Sequence, residues 1–134
     1  MERSLQGLVR RRAGHRCEYC QMPQSRDPIP FEVDHIIAEN HDGKTISSNL
    51  SLCFFACNRH KGPNIAGIDP KSRKIVRLFN PRRHKWLRHF RWDGPLLVGL
   101  TPAGRATVRV LKINLDHRVG FRQELIEEGG FPPD

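Results

Sequence analysis

Apolar and polar residues alternate along this chain in patterns that change several times. Near the start, Leu5, Leu8 and Val9 stand at helical spacing with Arg10, Arg11, Arg12 and Arg16 beyond them, which predicts a basic helix within residues 1–16. Cys17-Glu18-Tyr19-Cys20 follows, then a loop punctuated by Pro23, Pro28 and Pro30. Phe31-Glu32-Val33 alternates as a short strand does, and His41-Asp42-Gly43-Lys44 has the composition of a hairpin turn. Leu50, Cys53, Phe54 and Cys57 then fall on one helical face, with Ser47 or Ser48 available as a cap and Gly62-Pro63 as a stop after Lys61. The order expected is strand, turn, second short strand and helix.

Beyond Lys61 the pattern is mixed. Lys74 to Phe79 and Leu96 to Leu100 read as strands. Thr101-Pro102 supplies an N-cap and a proline at the first helical position, so a helix should run to about Asn114 with Ala103, Ala106 and Val110 inward and Arg105, Arg109 and Lys112 on another face. A last helix is expected from Asp116 to Glu128, ending at Gly129-Gly130. There is no internal repeat and no low-complexity tract. The expectation is one α+β domain over residues 1–134, with a basic N-terminal helix (1–16), a central segment (17–62) and a basic extension of strands and C-terminal helices (63–134).

Charge narrows the choice of partner. The 134 residues carry 23 Lys or Arg against 14 Asp or Glu, a formal charge of +9 that favours polyanions, nucleic acid first. No apolar stretch approaches the roughly 20 residues of a membrane span, and the N-terminus lacks a signal-type apolar run. A cytoplasmic protein with no membrane partner is expected, and its four cysteines then point to metal or free thiols before disulfides.

The candidate chemistry centres on Asp34-His35. Hydrolysing a phosphodiester needs a base to activate water and a cation to offset the charge that builds on phosphate and leaving oxygen. A neutral imidazole suits the first task, and a hard carboxylate oxygen suits a divalent ion. At a strand end the two side chains diverge, so that one can face a metal and the other a water.

Cys17-x-x-Cys20, Phe31-Glu32-Val33-Asp34-His35-Ile36-Ile37, Asp42-Gly43, Asn49-Leu50 and Cys57-Asn58-Arg59-His60-Lys61-Gly62, in that order and spacing, resemble the signature of the HNH endonucleases. Asn80-Pro81-Arg82-Arg83, Trp86, His89-Phe90 and the run from Gly99 to Thr107 resemble the stand-alone bacterial and phage-type members, extending the likeness from about Arg10 to Arg122. The resemblance implies a ββα-metal (His-Me finger) core with a zinc knuckle. It implies His35 as general base, Asn49 as the residue that holds the base-bearing loop, and Asn58 as the residue that completes a catalytic metal site with Asp34. An H-N-N arrangement of this kind, with a neutral Asn ligand, favours Mg²⁺ or Mn²⁺ over Zn²⁺ at that position. His60 competes with Asn58, but it lies about 200° away around a helix, and Asn58 has the spacing of the motif.

Cys17 and Cys20 form half of a zinc knuckle, and Cys53 with Cys57 offers the second pair for a structural Zn²⁺. Family members usually place that pair as Cys-x-x-Cys; here Phe54 holds the expected place and the cysteine comes one residue earlier. Residues four apart on a helix differ by only about 40°, so both thiols could face one ion. Cys17, Cys20, Cys57 and His60 are the alternative set, and Cys53 as a small core residue is the plain structural reading.

Residues 71–92 hold nine Lys or Arg and no acid, interleaved with Trp86, Phe90 and Trp92, a composition that fits a strip gripping the DNA backbone. Arg82, Arg83 and Lys85 in that strip, with Lys44, are candidate DNA contacts; Arg59 and Lys61, beside the proposed site, are candidates for holding the scissile phosphate. The aromatics read first as core residues. A non-catalytic zinc-knuckle module that binds nucleic acid is the rival function, and RNA remains open as the polymer. Recognition sequence, single- or double-strand cutting, oligomeric state and biological role have no signal in the sequence.

Overall fold

A computed structural model describes residues 1–133, in which helices and strands mix in two compact units: residues 1–65 with 80–84, and residues 66–79 with the chain from Lys85 onward. Among the described residues no helix is long and apolar enough to cross a membrane.

The first unit contains helix α1 (Arg3–Arg12), strands β1 (Glu32–His35) and β2 (Leu50–Cys53) and helix α2 (Phe55–Lys61). The strands pair antiparallel, Glu32 opposite Cys53 and His35 opposite Leu50. Helix α1 packs on both strands and α2 packs on β1. Val9, Tyr19, Phe31, Leu50, Leu52, Cys53 and Cys57 are buried in this unit. Arg12 at the end of α1 reaches over to donate to the Ser47 and Leu50 carbonyls, both at 2.6 Å, which fixes the chain as it enters β2.

The helix expected from Ser47 is corrected here. Residues 47–49 make a single 3-10 turn, 50–53 are the strand β2, and the helix begins only at Phe55 after Phe54 in an extended conformation (φ −61°, ψ 142°). All four residues of β2 are buried, Ser51 included. A strand covered on both faces loses its two-residue alternation, and the apolar spacing that remains imitates a helix. The Asp42-Gly43 turn also differs from a tight hairpin, since residues 36–49 separate the strands. Asp42 takes a left-handed conformation (φ 65°), and Gly43 lies so close to the chain that a Cβ there would meet the Ile37 carbonyl oxygen at 1.7 Å.

The second unit contains β3 (Ala66–Ile68) paired with β4 (Ile75–Arg77), helix α3 (Trp86–His89), β5 (Phe90–Asp93) paired with β6 (Leu96–Gly99), and helices α4 (Pro102–Val110) and α5 (Asp116–Glu127). The strands expected around Ile75 and Leu96, the helix after Thr101 and the last helix are present; β3 and β5 had no clear signal. Thr101 Oγ1 accepts from the Gly104 amide at 3.0 Å, the cap its sequence promised. Helix α4 then packs on β6, β3 and β4. Its approach to the end of α3 is so close that a Cβ at Gly104 would stand 2.2 Å from the His89 carbonyl oxygen.

Polar residues are buried in this unit as bonded pairs. Asp69 is fully buried and receives Arg105 bidentately, at 2.8 and 2.9 Å. Arg122, also fully buried, donates to the carbonyls of Pro95 and Ile113 and to Asn114 Oδ1, and its guanidinium lies 5.3 Å from the centre of the Trp92 ring. Phe90 is buried beside Trp86 and Phe79, and Trp92 packs edge-on against Phe131 at 5.0 Å.

Candidate functional site

The first unit gathers the chemistry-bearing residues around the ends of β1. Its loop is closed by one side chain. Asn49 accepts the Ile37 amide on Oδ1 at 2.9 Å and donates through Nδ2 to the Ile37 and Lys44 carbonyls at 3.0 and 2.9 Å. The Asn49 carbonyl accepts the Ile36 amide at 2.8 Å. Both amide protons and the oxygen are thus engaged, and the chain just after His35 is held at two consecutive residues.

His35 ends β1 with its side chain 18% exposed, enough for water to reach it. Nε2 lies 2.8 Å from Thr45 Oγ1, a partner carried on the same loop, and 3.9 Å from the exposed Glu39 carboxylate. Among the described residues no hydrogen bond engages Nδ1. The imidazole is therefore anchored at one nitrogen and open at the other, as a base must be.

Asp34 faces α2 rather than the loop. Lys61, only 2% exposed, donates to Asp34 Oδ2 and to the His35 carbonyl, both at 3.1 Å. Burial raises the Asp34 carboxyl above its ordinary range, and the Lys61 ammonium works against that rise. One turn earlier on α2, Asn58 Nδ2 donates to Glu32 Oε2 at 2.7 Å. Glu32 and Asp34 are two apart on a strand, and Asn58 and Lys61 three apart on a helix, so each pair shares a face. The result is two rungs between β1 and α2. Lys61 takes one oxygen of Asp34 and Glu32 takes the amide nitrogen of Asn58. The second carboxylate oxygen and the amide oxygen remain, both hard donors suited to Mg²⁺ or Mn²⁺.

The thiols form a separate centre. The sulfurs of Cys17, Cys20 and Cys57 lie within 4.8 Å of one another, all buried, and could hold a metal ion. Sulfurs around a tetrahedral zinc stand about 3.8 Å apart, so only a small contraction would be needed. The amides of Tyr19 and Cys20 both point at Cys17 Sγ at 3.5 Å, the turn of a knuckle. Cys53 is buried beside them and hydrogen-bonds Cys17. Burial pushes Cys53 and Cys57 well above the ordinary thiol range. It pushes Cys17 up too, but hydrogen bonds with Cys20, Cys53 and Cys57 outweigh it and leave Cys17 well below that range. Such a set ionises together only with a cation among it. Cys53 ends β2 and Cys57 lies inside α2, so the two are presented by different elements, not by one helical face. His60 is not among the clustered ligands. Glu18 ties the turn between Cys17 and Cys20 to β2: its amide donates to the Leu52 carbonyl at 2.9 Å, its carboxylate accepts the Leu52 amide at 2.8 Å, and Arg82 pairs with it.

The cationic candidates divide. Arg59, Lys44, Arg83 and Lys85 are exposed, while Arg82 is half-buried against Glu18 and lowered to about 10 by desolvation and by Arg12. Lys61 is turned inward to Asp34. Sequence reading gave no role to Glu32 or Thr45. The two-residue spacing of Glu32 from Asp34 was a usable signal; for Thr45, on an irregular loop, there was none.

Residues 17–64, the segment that holds the thiol cluster and the Asp34–His35 pair, match the family model described as HNH endonuclease. The match ends short of the likeness to Arg122 drawn from the sequence. Comparison with curated proteins and with solved structures found no match.

Proposed function

We propose that this chain, with an HNH domain over residues 17–64, is a metal-dependent endonuclease that hydrolyses phosphodiester bonds of DNA. The observation that carries the reading is His35, held at Nε2 by Thr45 and open at Nδ1, next to Asp34 on a strand whose following loop Asn49 fastens. His35 takes a proton from water as the water oxygen bonds to phosphorus and the bond to the leaving ester oxygen breaks. Asn49 keeps that base in place. Asp34 and Asn58 are the residues that would hold Mg²⁺ or Mn²⁺, which when bound offsets charge on the phosphate and the leaving oxygen. Cys17, Cys20 and Cys57, with Cys53 adjacent, would hold a structural Zn²⁺ that joins the knuckle to α2. Arg59 and Lys44, both exposed in the HNH segment, are cations for phosphates near the site, and Arg83 and Lys85 are cations for the flanking backbone.

One observation favours the rival reading of a nucleic-acid-binding module: the carboxylate of Asp34 is already partly neutralised by Lys61. Incubation of plasmid DNA with Mg²⁺, Mn²⁺ or chelator separates the two. Metal-dependent nicking or cutting is expected, and His35→Ala should reduce it by about 10²–10⁴-fold while DNA binding persists. Equal cutting by the variant would overturn the mechanism, and retention of DNA without cutting under any metal would establish the module.

A further inference from the structure

An asparagine can serve a cation at only one end of its amide. The oxygen is a ligand, while the NH₂ group is a donor that repels cations, and the two ends are close to the same shape. A half-turn about the last side-chain bond therefore converts a metal ligand into an obstacle. In this structure the choice is made by chemistry: the carboxylate of Glu32 can only accept, so the end of Asn58 that meets Oε2 at 2.7 Å is the NH₂ group. The oxygen is left for a cation. The bond bridges β1 and α2 and lies on the same strand face as Asp34, the other proposed ligand.

We propose that Glu32 is a positioning residue of the catalytic metal site, which holds the amide of Asn58 with its oxygen directed to the metal. It rests on the function proposed above. Glu32 is not itself a ligand in this account; it selects one of two orientations that Asn58 alone would share. A histidine or carboxylate at position 58 would not need this particular service, because neither has an amide to reverse.

The test uses the zinc-loaded full chain and Mn²⁺ as the probe, with free Mn²⁺ followed by electron paramagnetic resonance and plasmid cutting titrated with Mn²⁺ in parallel. Glu32→Ala should weaken Mn²⁺ binding about tenfold and move the cutting midpoint by the same factor, the usual scale for loss of a partner that orients a ligand. Glu32→Gln, whose carbonyl can still accept from Asn58, should stay close to the unaltered chain. With Asn58→Asp, which has two equivalent oxygens, adding Glu32→Ala should bring no weakening. A Glu32→Ala chain that binds like the unaltered one overturns the proposal. So does Glu32→Gln as damaging as Glu32→Ala, which would make Glu32 a direct ligand, or a tenfold loss that persists with Asn58→Asp. If Asp34→Ala leaves Mn²⁺ binding unchanged, the metal site itself is misassigned and the underlying reading fails with it.

Discussion

The two compact units differ in what their buried polar groups meet. In the second, two buried charges meet partners of the same unit: Asp69 is buried with Arg105 on it, and Arg122 is buried with three acceptors around it. The first unit contains all four cysteines, each buried, and their ionised forms find no cation among the described side chains of the cluster. Its short strands and seven-residue α2 are joined through these thiols and through single side chains such as Asn49, Arg12 and Glu18. The unit with the candidate site is thus also the one whose buried thiols could take up a metal ion. Metal content and foldedness should therefore be coupled in the first unit and independent in the second.

If the thiols hold zinc as proposed, its removal should have the largest effect. Structural zinc contributes about 10–16 kcal/mol in small zinc-binding peptides. Chelation under reducing conditions, or Cys17→Ser, should abolish amide-exchange protection at Leu50 and Leu52 while α4 and α5 keep theirs. Equal loss in both units would deny the distinction. The reciprocal change is Arg122→Ala, which leaves carbonyls without a donor; a cost on the order of 3 kcal/mol is expected, read as earlier denaturant unfolding of the second unit with zinc content unchanged. Asn49→Ala comes next: loss of its three bonds should cost about 1–3 kcal/mol locally, seen as faster exchange at Ile37 and weaker cutting, with the melting of the second unit unmoved.

The smallest expected effect is a pH slope. Arg105 holds the Asp69 carboxyl below its ordinary range, aided by Ser72 and the Lys71 and Ser72 amides and opposed by burial. A carboxyl lowered on folding stabilises fully above its unfolded pKa of about 3.9 and loses that contribution as pH falls through the folded value. The second unit should therefore weaken below about pH 4, and Asp69→Asn should flatten the slope in a thermal melt series.

Legibility did not follow that division. Longer elements with helical spacing or clear end signals could be read directly: α1 from Leu5 and Val9, α4 from Thr101-Pro102, α5 from its glycine stop. Strand β2 could not, because Ser51 and Cys53 are as buried as Leu50 and Leu52, and the spacing of apolar residues alone does not separate a doubly covered strand from a helix. β3 is three residues of Ala, Gly and Ile, too short to carry a period. At the candidate site, Asp34 and His35 stood out as a carboxylate beside an imidazole, whereas Asn49 and Asn58 were singled out only through the resemblance to the HNH endonucleases. The inward turn of Lys61 was not legible. A lysine beside a glycine stop reads as exposed, and only pairing across 27 positions with Asp34 makes its burial tolerable.

The loop after β1 is closed twice, once by Asn49 and again where the Gly43 amide meets the Ala38 carbonyl at 3.0 Å. Residues 40–42 lie outside both closures. Added length there would disturb the turn bonds from the His41 amide to Ala38 and from the Asp42 amide to Glu39 and cost loop entropy, about 0.6 kcal/mol for each doubling, while the Asn49 bonds that hold Ile36 and Ile37 lie outside the turn. Length variation in this loop should therefore be easier at its tip than at the residues that Asn49 binds.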